Sequence, residues 1–166
     1  MTGSFRVRTA TVADIPLLAR HRAAMFLDMG RLAAGAEAAL IRATEDYFRG
    51  ALPRGEYLGW VAEDGTPSPA PIGGAGVQLR SILPRPAALE QQLELGPEAI
   101  VLNVYVEPTW RRRGVGEALM RAILNALADR NVGRVVLHAS DSGRHLYERL
   151  GFVPTNEMRL DTPRLR

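Results

Sequence analysis

Val104-Tyr105-Val106-Glu107-Pro108-Thr109-Trp110-Arg111-Arg112-Arg113-Gly114-Val115-Gly116-Glu117 is the stretch on which the fold turns. A β-branched and aromatic run passes into a basic, glycine-spaced turn, and the turn opens a helix. The first backbone N–H groups of a helix have no partner within it, and the helix dipole leaves partial positive charge at that end, so such a turn can hold an anion. Gly114 and Gly116 allow a positive φ or a close main-chain approach, and Arg111, Arg112 and Arg113 add permanent charge with bidentate reach towards phosphate. The stretch lacks the Gly-Lys-Ser/Thr ending of a P-loop and has two glycines where a dinucleotide fingerprint has three.

The residues beyond the turn give it a context. Val115, Leu119, Ile123 and Leu127 recur every fourth residue beside Ala118, Ala122 and Ala126, the stripe of an amphipathic helix lying on a sheet. Asn131-Val132-Gly133 is expected to end it, with Gly133 as the left-handed cap, and residues 134–140 read as a buried strand. Strand, phosphate turn, helix and strand make one right-handed βαβ unit, with the anion site at the carboxyl end of its first strand.

From residue 100 to residue 159 the chain resembles the acetyl-CoA-binding half of the GNAT superfamily of N-acetyltransferases. The family marker Gln/Arg-x-x-Gly-x-Gly/Ala stands as Arg111-Arg112-Arg113-Gly114-Val115-Gly116, and the later marker as Leu146-Tyr147-Glu148-Arg149-Leu150-Gly151-Phe152. The resemblance implies an α/β fold with a mixed sheet, mostly antiparallel, whose parallel strands splay, with flanking helices. It implies acetyl-CoA as cofactor. The diphosphate would rest on residues Arg111, Arg112, Arg113, Gly114, Val115, Gly116 and Glu117, and the pantetheine arm would run along Val104, Tyr105 and Val106 as an added strand. A main-chain N–H near Val106 would stabilise the developing oxyanion.

Tyr147 matches the family tyrosine whose hydroxyl serves the departing thiolate as acid. Leu146 and Leu150 flank it as a packing stripe, so a purely structural tyrosine is the competing reading. The acceptor amine must lose a proton before it attacks, yet residues 100–106 contain no acid where some relatives have a glutamate. Glu98, just before that strand, and Asn103, as a polariser of water, are the nearest substitutes. His138 on the next strand, and His21, Arg22 and Asp28 on the first helices, are further candidates. Ser140 stands where many relatives have a cofactor-contacting asparagine, and Ser142 is its neighbour; both are cofactor candidates.

The amino-terminal half fits the same order. Residues 5–10 read as a strand, Thr11 and Asp14 have capping-box spacing, and helices are expected over 15–29 and 35–49. Residues 57–63 and 73–79 read as a hairpin joined by a proline-rich loop. Residues 84–97 read as an insertion; 87–95 have helical propensity fenced by Pro84, Pro86 and Pro97, as a surface loop with one short helix or a flap over the acceptor site.

Composition bounds the rest. With 166 residues, one domain over 1–166 can bury about 70% of its unfolded surface without metal or disulfide. The absence of cysteine excludes disulfides, thiolate nucleophiles and zinc-thiolate sites, and no metal is called for. No apolar run has membrane-spanning length and no signal-peptide core opens the chain, so no membrane association and a cytoplasmic location are expected. All 21 basic residues are arginine, the mark of a GC-rich bacterial genome, and the net charge is +3. Nucleic-acid binding would call for aromatics interleaved with basic residues, which a 6% aromatic content spread along the chain does not supply. The expectation is an enzyme that acetylates a primary amine of a small molecule or amino acid by direct attack in a ternary complex. A homodimer is compatible with it. Acetylation of a protein amine, or an acyl-CoA-binding sensor or partner subunit without catalysis, are the alternatives.

Overall fold

The computed structural model describes residues 4–86 and 93–160. In chain order the elements are β1 (Phe5–Thr9), α1 (Ile15–Asp28), α2 (Glu37–Ala51), β2 (Tyr57–Asp64), β3 (Pro71–Arg80), β4 (Arg85–Pro86), β5 (Leu93–Glu94), β6 (Glu98–Val106), α3 (Val115–Ala128), β7 (Arg134–Leu137) and α4 (Arg144–Arg149). Five strands form one mixed sheet in the order β1-β2-β3-β6-β7, antiparallel throughout except for the parallel pair β6 and β7. This is the fold class expected from the sequence. No described helix is long and apolar enough to cross a membrane.

Helices cover both faces of the sheet. The stripe read from the sequence on α3 is buried, with Val115, Leu119, Ile123 and Leu127 each no more than 1% exposed against Ala99, Val101, Ile72 and Val77. On the opposite face α1 and α2 bring Ile15, Leu18, Phe48 and Ala51 against Tyr57 and Val61. Asp14 accepts the N–H and the hydroxyl of Thr11 at 2.7 and 3.1 Å, so the expected capping pair does start the first helical segment.

Three local expectations are corrected. The left-handed residue that ends α3 is Asn131, with φ of 54°, and not Gly133; the N–H of Val132 returns to Leu127 O, which closes the helix two residues earlier. Asparagine tolerates this conformation better than most residues, so it competes with glycine for the position. The second strand of the βαβ unit is four residues long instead of seven, ending at Leu137. Within the insertion, the end of the expected helix is extended: Leu93–Glu94 pairs antiparallel with Arg85–Pro86, supported by an Arg85–Glu94 ion pair of 2.5 Å. The rest of that helix, residues 87–92, lies outside the described residues.

β3 carries Gly73, Gly74 and Gly76 in its central stretch, and the reason is steric. A Cβ on Gly76 would sit 2.1 Å from Tyr57 Oη and 2.7 Å from Leu58 O, and one on Gly74 would sit 3.0 Å from His21 Nδ1. The bare strand lets the Tyr57 phenol and the His21 imidazole lie directly on the sheet. Gly76→Ala is therefore expected to lower stability by about 1–3 kcal/mol through displacement of the Tyr57 ring, measured as a fall in the midpoint of chemical denaturation.

Candidate active site

β6 carries one extra residue relative to β3. Gly76 pairs with Leu102 and Gly74 with Tyr105, so two steps on β3 match three on β6. Asn103, with φ of 59°, absorbs the mismatch. The bulge reverses the alternation of side chains: Ala99 and Val101 pack in the α3-facing core, and beyond the bulge it is Val104 and Val106 that join it. Asn103 and Tyr105 are thereby directed to the face of α1.

The same strand loses its neighbour on one side. Pairing with β7 runs from Glu98/Arg134 to Val101/Leu137 and then stops. The N–H of Glu107 donates to Ile72 O on the β3 side at 2.9 Å, so alternation turns the main-chain groups of Val106 and Val104 towards the open side. Arg111 Nε reaches Val106 O from that side at 2.9 Å, as this direction requires.

The open edge leads into the turn. Pro108–Trp110 form a single tight helical turn, after which Arg112 and Gly114 take left-handed φ values of 63° and 85°, with Gly114 as the N-cap of α3. The N–H groups of Val115, Gly116 and Glu117 have no acceptor inside the helix, and left-handed residues on both sides of Arg113 curve the preceding amides into a concavity suited to an anion. The three arginines diverge. Arg113 lies over the Trp110 ring at 5.3 Å, whereas Arg111 lies over the Tyr105 ring at 5.5 Å and ion-pairs with Asp28 of α1. The Arg111 guanidinium thus faces α1 rather than the concavity, which shifts its expected place from the cradle to the seam between the two halves.

α4 docks beside the start of α3: the Leu146 side chain approaches the Cβ position of Gly116 at 3.5 Å, and Arg149 reaches Glu117 at 3.4 Å. The Glu117 carboxylate is held by Arg121 and Arg149, so it is the backbone of this residue that is offered to the turn. Tyr147 packs its ring against the α3-side core and edge-on to Phe152, 6.0 Å away, and burial pushes its phenol pKa up from the ordinary value. Ser140 starts α4. Its hydroxyl and carbonyl accept the Gly143 N–H at 3.3 and 3.0 Å, and its hydroxyl meets that of Ser142 at 3.2 Å.

On the α1 face the bulge gathers a polar cluster. The Asn103 amide donates to Tyr57 Oη at 3.1 Å and accepts from Arg22 at 2.5 Å. Both ends of its buried side chain are engaged, the oxygen with Arg22 and the nitrogen with Tyr57, which ties the bulge to α1 and β2. Burial raises the Tyr57 phenol to about 12, so it stays protonated. His21 is 3% exposed, tilted against the Tyr105 ring at 5.0 Å. Its Nε2 lies 3.3 Å from Glu107 Oε1 without the alignment of a hydrogen bond, and both ring nitrogens are buried without a partner among the described residues. Glu107 is the functional candidate that sequence reasoning missed. It is the acid at the carboxyl end of β6, and its position where the strand ends at the turn was the available signal.

Residues 55–154 match the family model described as an acetyltransferase (GNAT) domain. The chain belongs to the GNAT acetyltransferase family. It is similar to the solved structure of a GCN5-related N-acetyltransferase from Ralstonia eutropha JMP134, with 34% identity, a TM-score of 0.82, and coverage of 96% of this chain and 99% of the other. A predicted acetyltransferase with acetyl-CoA from Clostridium acetobutylicum is 26% identical, with a TM-score of 0.77 over 95% of this chain and 96% of the other. An aminoglycoside N-acetyltransferase in complex with CoA shares the fold at 14% identity, with a TM-score of 0.68 over 98% and 97% of the two chains. No curated protein matches the chain.

Two base candidates for a GNAT reaction do not reach this centre. Glu98 is the first residue of β6, about 25 Å of extended chain from Val106. It is 4% exposed and clamped by Arg80 at 2.5 Å and Arg134 at 2.8 Å, an anchor for the far end of the strand. His138 lies past the end of β7, its side chain 65% exposed and 3.6 Å from Glu157.

Burial, and secondarily the charge of Arg20, pushes the His21 pKa down from 6.5 to about 4, so the folded protein holds it neutral. Between pH 6.5 and 4 the unfolded chain takes up a proton that the folded chain refuses, so stability falls as pH drops through this window. The loss attributable to His21 is at most about 3 kcal/mol. His21→Gln, neutral at every pH, is expected to show a flatter pH dependence of unfolding free energy over that range than the parent protein.

Proposed function

We propose that this GNAT acetyltransferase moves the acetyl group of acetyl-CoA to a primary amine of a small molecule or amino acid, by direct attack in a ternary complex. The observation that carries this reading is the open edge of β6 running without interruption into the concavity at 112–117. An extended amide-bearing arm finds main-chain partners along Val104 and Val106, and a diphosphate finds unpaired amides and the Arg112 and Arg113 charges at the end of the same track. The neighbour solved with acetyl-CoA supports the choice of cofactor.

Acetyl-CoA supplies the electrophilic thioester carbonyl. The Val106 N–H, fixed on the open edge, donates to the carbonyl oxygen as negative charge develops on it. Glu107 takes the proton of the incoming ammonium, directly or through one water, and the neutral His21 beside it competes for no proton at physiological pH. Tyr147, kept protonated by burial, delivers a proton or hydrogen bond to the departing sulfur. Asn103 positions the strand and touches none of the reacting atoms. The neighbours from Ralstonia and Clostridium, with the all-arginine basic composition, support a bacterial source.

Calorimetric titration with acetyl-CoA, followed by thiol release over a panel of amines, tests the proposal. Binding with turnover of at least one amine is expected, whereas tight binding without release for any amine would favour a sensor. Tyr147→Phe and Glu107→Gln are each expected to lower kcat by about 10²-fold while acetyl-CoA affinity is retained. At Gly114, where φ is 85° and the Cβ position is open space, alanine adds backbone strain without a clash. Gly114→Ala is expected to weaken acetyl-CoA binding by roughly tenfold with the thermal midpoint shifted by only a few degrees.

A further inference from the structure

Arg22 is a half-buried cation without a carboxylate. Three other arginines on the same side of the sheet are matched, Arg111 with Asp28, Arg8 with Asp14 and Glu63, Arg54 with Glu56, while Arg20, Arg31 and Arg42, which form no ion pair among the described residues, are exposed to water. Arg22 forms no ion pair among the described residues. It gives one N–H to Asn103 Oδ1 and lays its guanidinium over the Phe26 ring at 4.9 Å, which leaves most of its five donors unspent. A guanidinium withdrawn from water without a counter-ion is costly, and loss of solvent pushes its pKa down.

The second member of the pair is Glu107. Its side chain is 40% exposed, and its ion-pair neighbour among the described residues is His21, which burial keeps neutral. Asp28 is not equivalent, because Arg111 already compensates it. The α1 face of the bulge thus presents one uncompensated cation beside Asn103 and one uncompensated anion four residues further along, roughly 10–13 Å of strand away. The guanidinium and carboxylate extend from those positions, so a compact molecule can touch both.

We propose that the acceptor is a small zwitterion, a primary amine carrying its own carboxylate or phosphate, with the anionic group held by Arg22 and the ammonium led to Glu107. The proposal rests on the acetyl-transfer reading for its chemistry, but the recognition of the anion stands on Arg22 alone. Arg22 binds the acceptor in a bidentate fork anchored by Asn103, the same amide that fixes the bulge. Aminoglycoside-like polycations are disfavoured, because they would bring further positive charge against an uncompensated guanidinium.

Matched amine pairs test this in the full-length protein: an α-amino acid beside its amide, a β-amino acid beside its amide, and phosphoethanolamine beside ethanolamine. Binding is read by calorimetry in the presence of CoA, which needs no turnover, and kcat/KM by thiol release with acetyl-CoA. At least one anionic member is expected to exceed its neutral counterpart roughly 10- to 100-fold, with the preferred pair distinguishing carboxylate from phosphate. Arg22→Gln is expected to collapse that ratio towards one, mainly through KM, with acetyl-CoA affinity retained, and Arg22→Lys to recover part of it. A merely structural role for Arg22 would lower both members of a pair alike. That result, or equal binding of neutral and anionic members by the parent protein, would overturn the proposal. Anionic amines that bind through Arg22 in a protein that binds neither CoA nor acetyl-CoA would keep Arg22 as the anion site but overturn its assignment to an acetyl acceptor, together with the acetyl-transfer reading.

Discussion

The extra residue at Asn103 is the constraint on which the site depends. Inserting one residue into β6 opposite Ala75 breaks the ladder with β3 between Gly74 and Gly76, reverses the facing of every later side chain on the strand, and coincides with the end of pairing to β7. A regular strand would have pointed residues 103 and 105 into the α3-side core. The bulge instead sends them to α1, where the Asn103 amide closes on Tyr57 and Arg22. Left-handed backbone at a non-glycine residue costs roughly 1 kcal/mol or more, and two hydrogen bonds to the same side chain, one of them buried, offset it.

The two halves of the site meet along this strand. On the α3 side, the open edge and the left-handed turn at 112–114 form a track suited to an extended, anionic cofactor. On the α1 side, the glycine-rich stretch of β3 lets His21 and Tyr57 lie on the sheet and brings Arg22 within reach of the bulge. Arg111 joins the halves, with Nε on the Val106 carbonyl and its outer nitrogen on Asp28. Its charge is therefore spent on the contact between β6 and α1, while the amides of the turn stay unpaired.

Much of this was legible in the sequence where the signal was local. The β-branched and aromatic run that ends at Val106, the fourfold stripe of α3 and the glycine-spaced turn each state a backbone preference within a few residues, and the fold followed those preferences. The family resemblance added the order of elements that periodicity could not supply. What escaped depends on partners distant in sequence. Asn103 meets Arg22 across 81 residues and Arg111 meets Asp28 across 83, so neither contact leaves a mark in its own neighbourhood. Glu98 looked free because Arg80 and Arg134 lie on other strands, and Gly133 looked like a cap because glycine is the default choice where Asn131 in fact bends the chain. The glycines of β3 did carry a readable signal of close approach, and Glu107 occupied a telling place at the strand's end.

Amide hydrogen exchange measured with and without acetyl-CoA decides whether the open edge of β6 and the turn after it receive the cofactor, since it reports on main-chain groups residue by residue. Slower exchange on addition of acetyl-CoA is expected at Val104 and Val106 and at the amides of residues 113–117, with β1 and β2 unchanged. Unaltered exchange along that edge and turn in the presence of saturating acetyl-CoA, or protection arising only elsewhere, would contradict it.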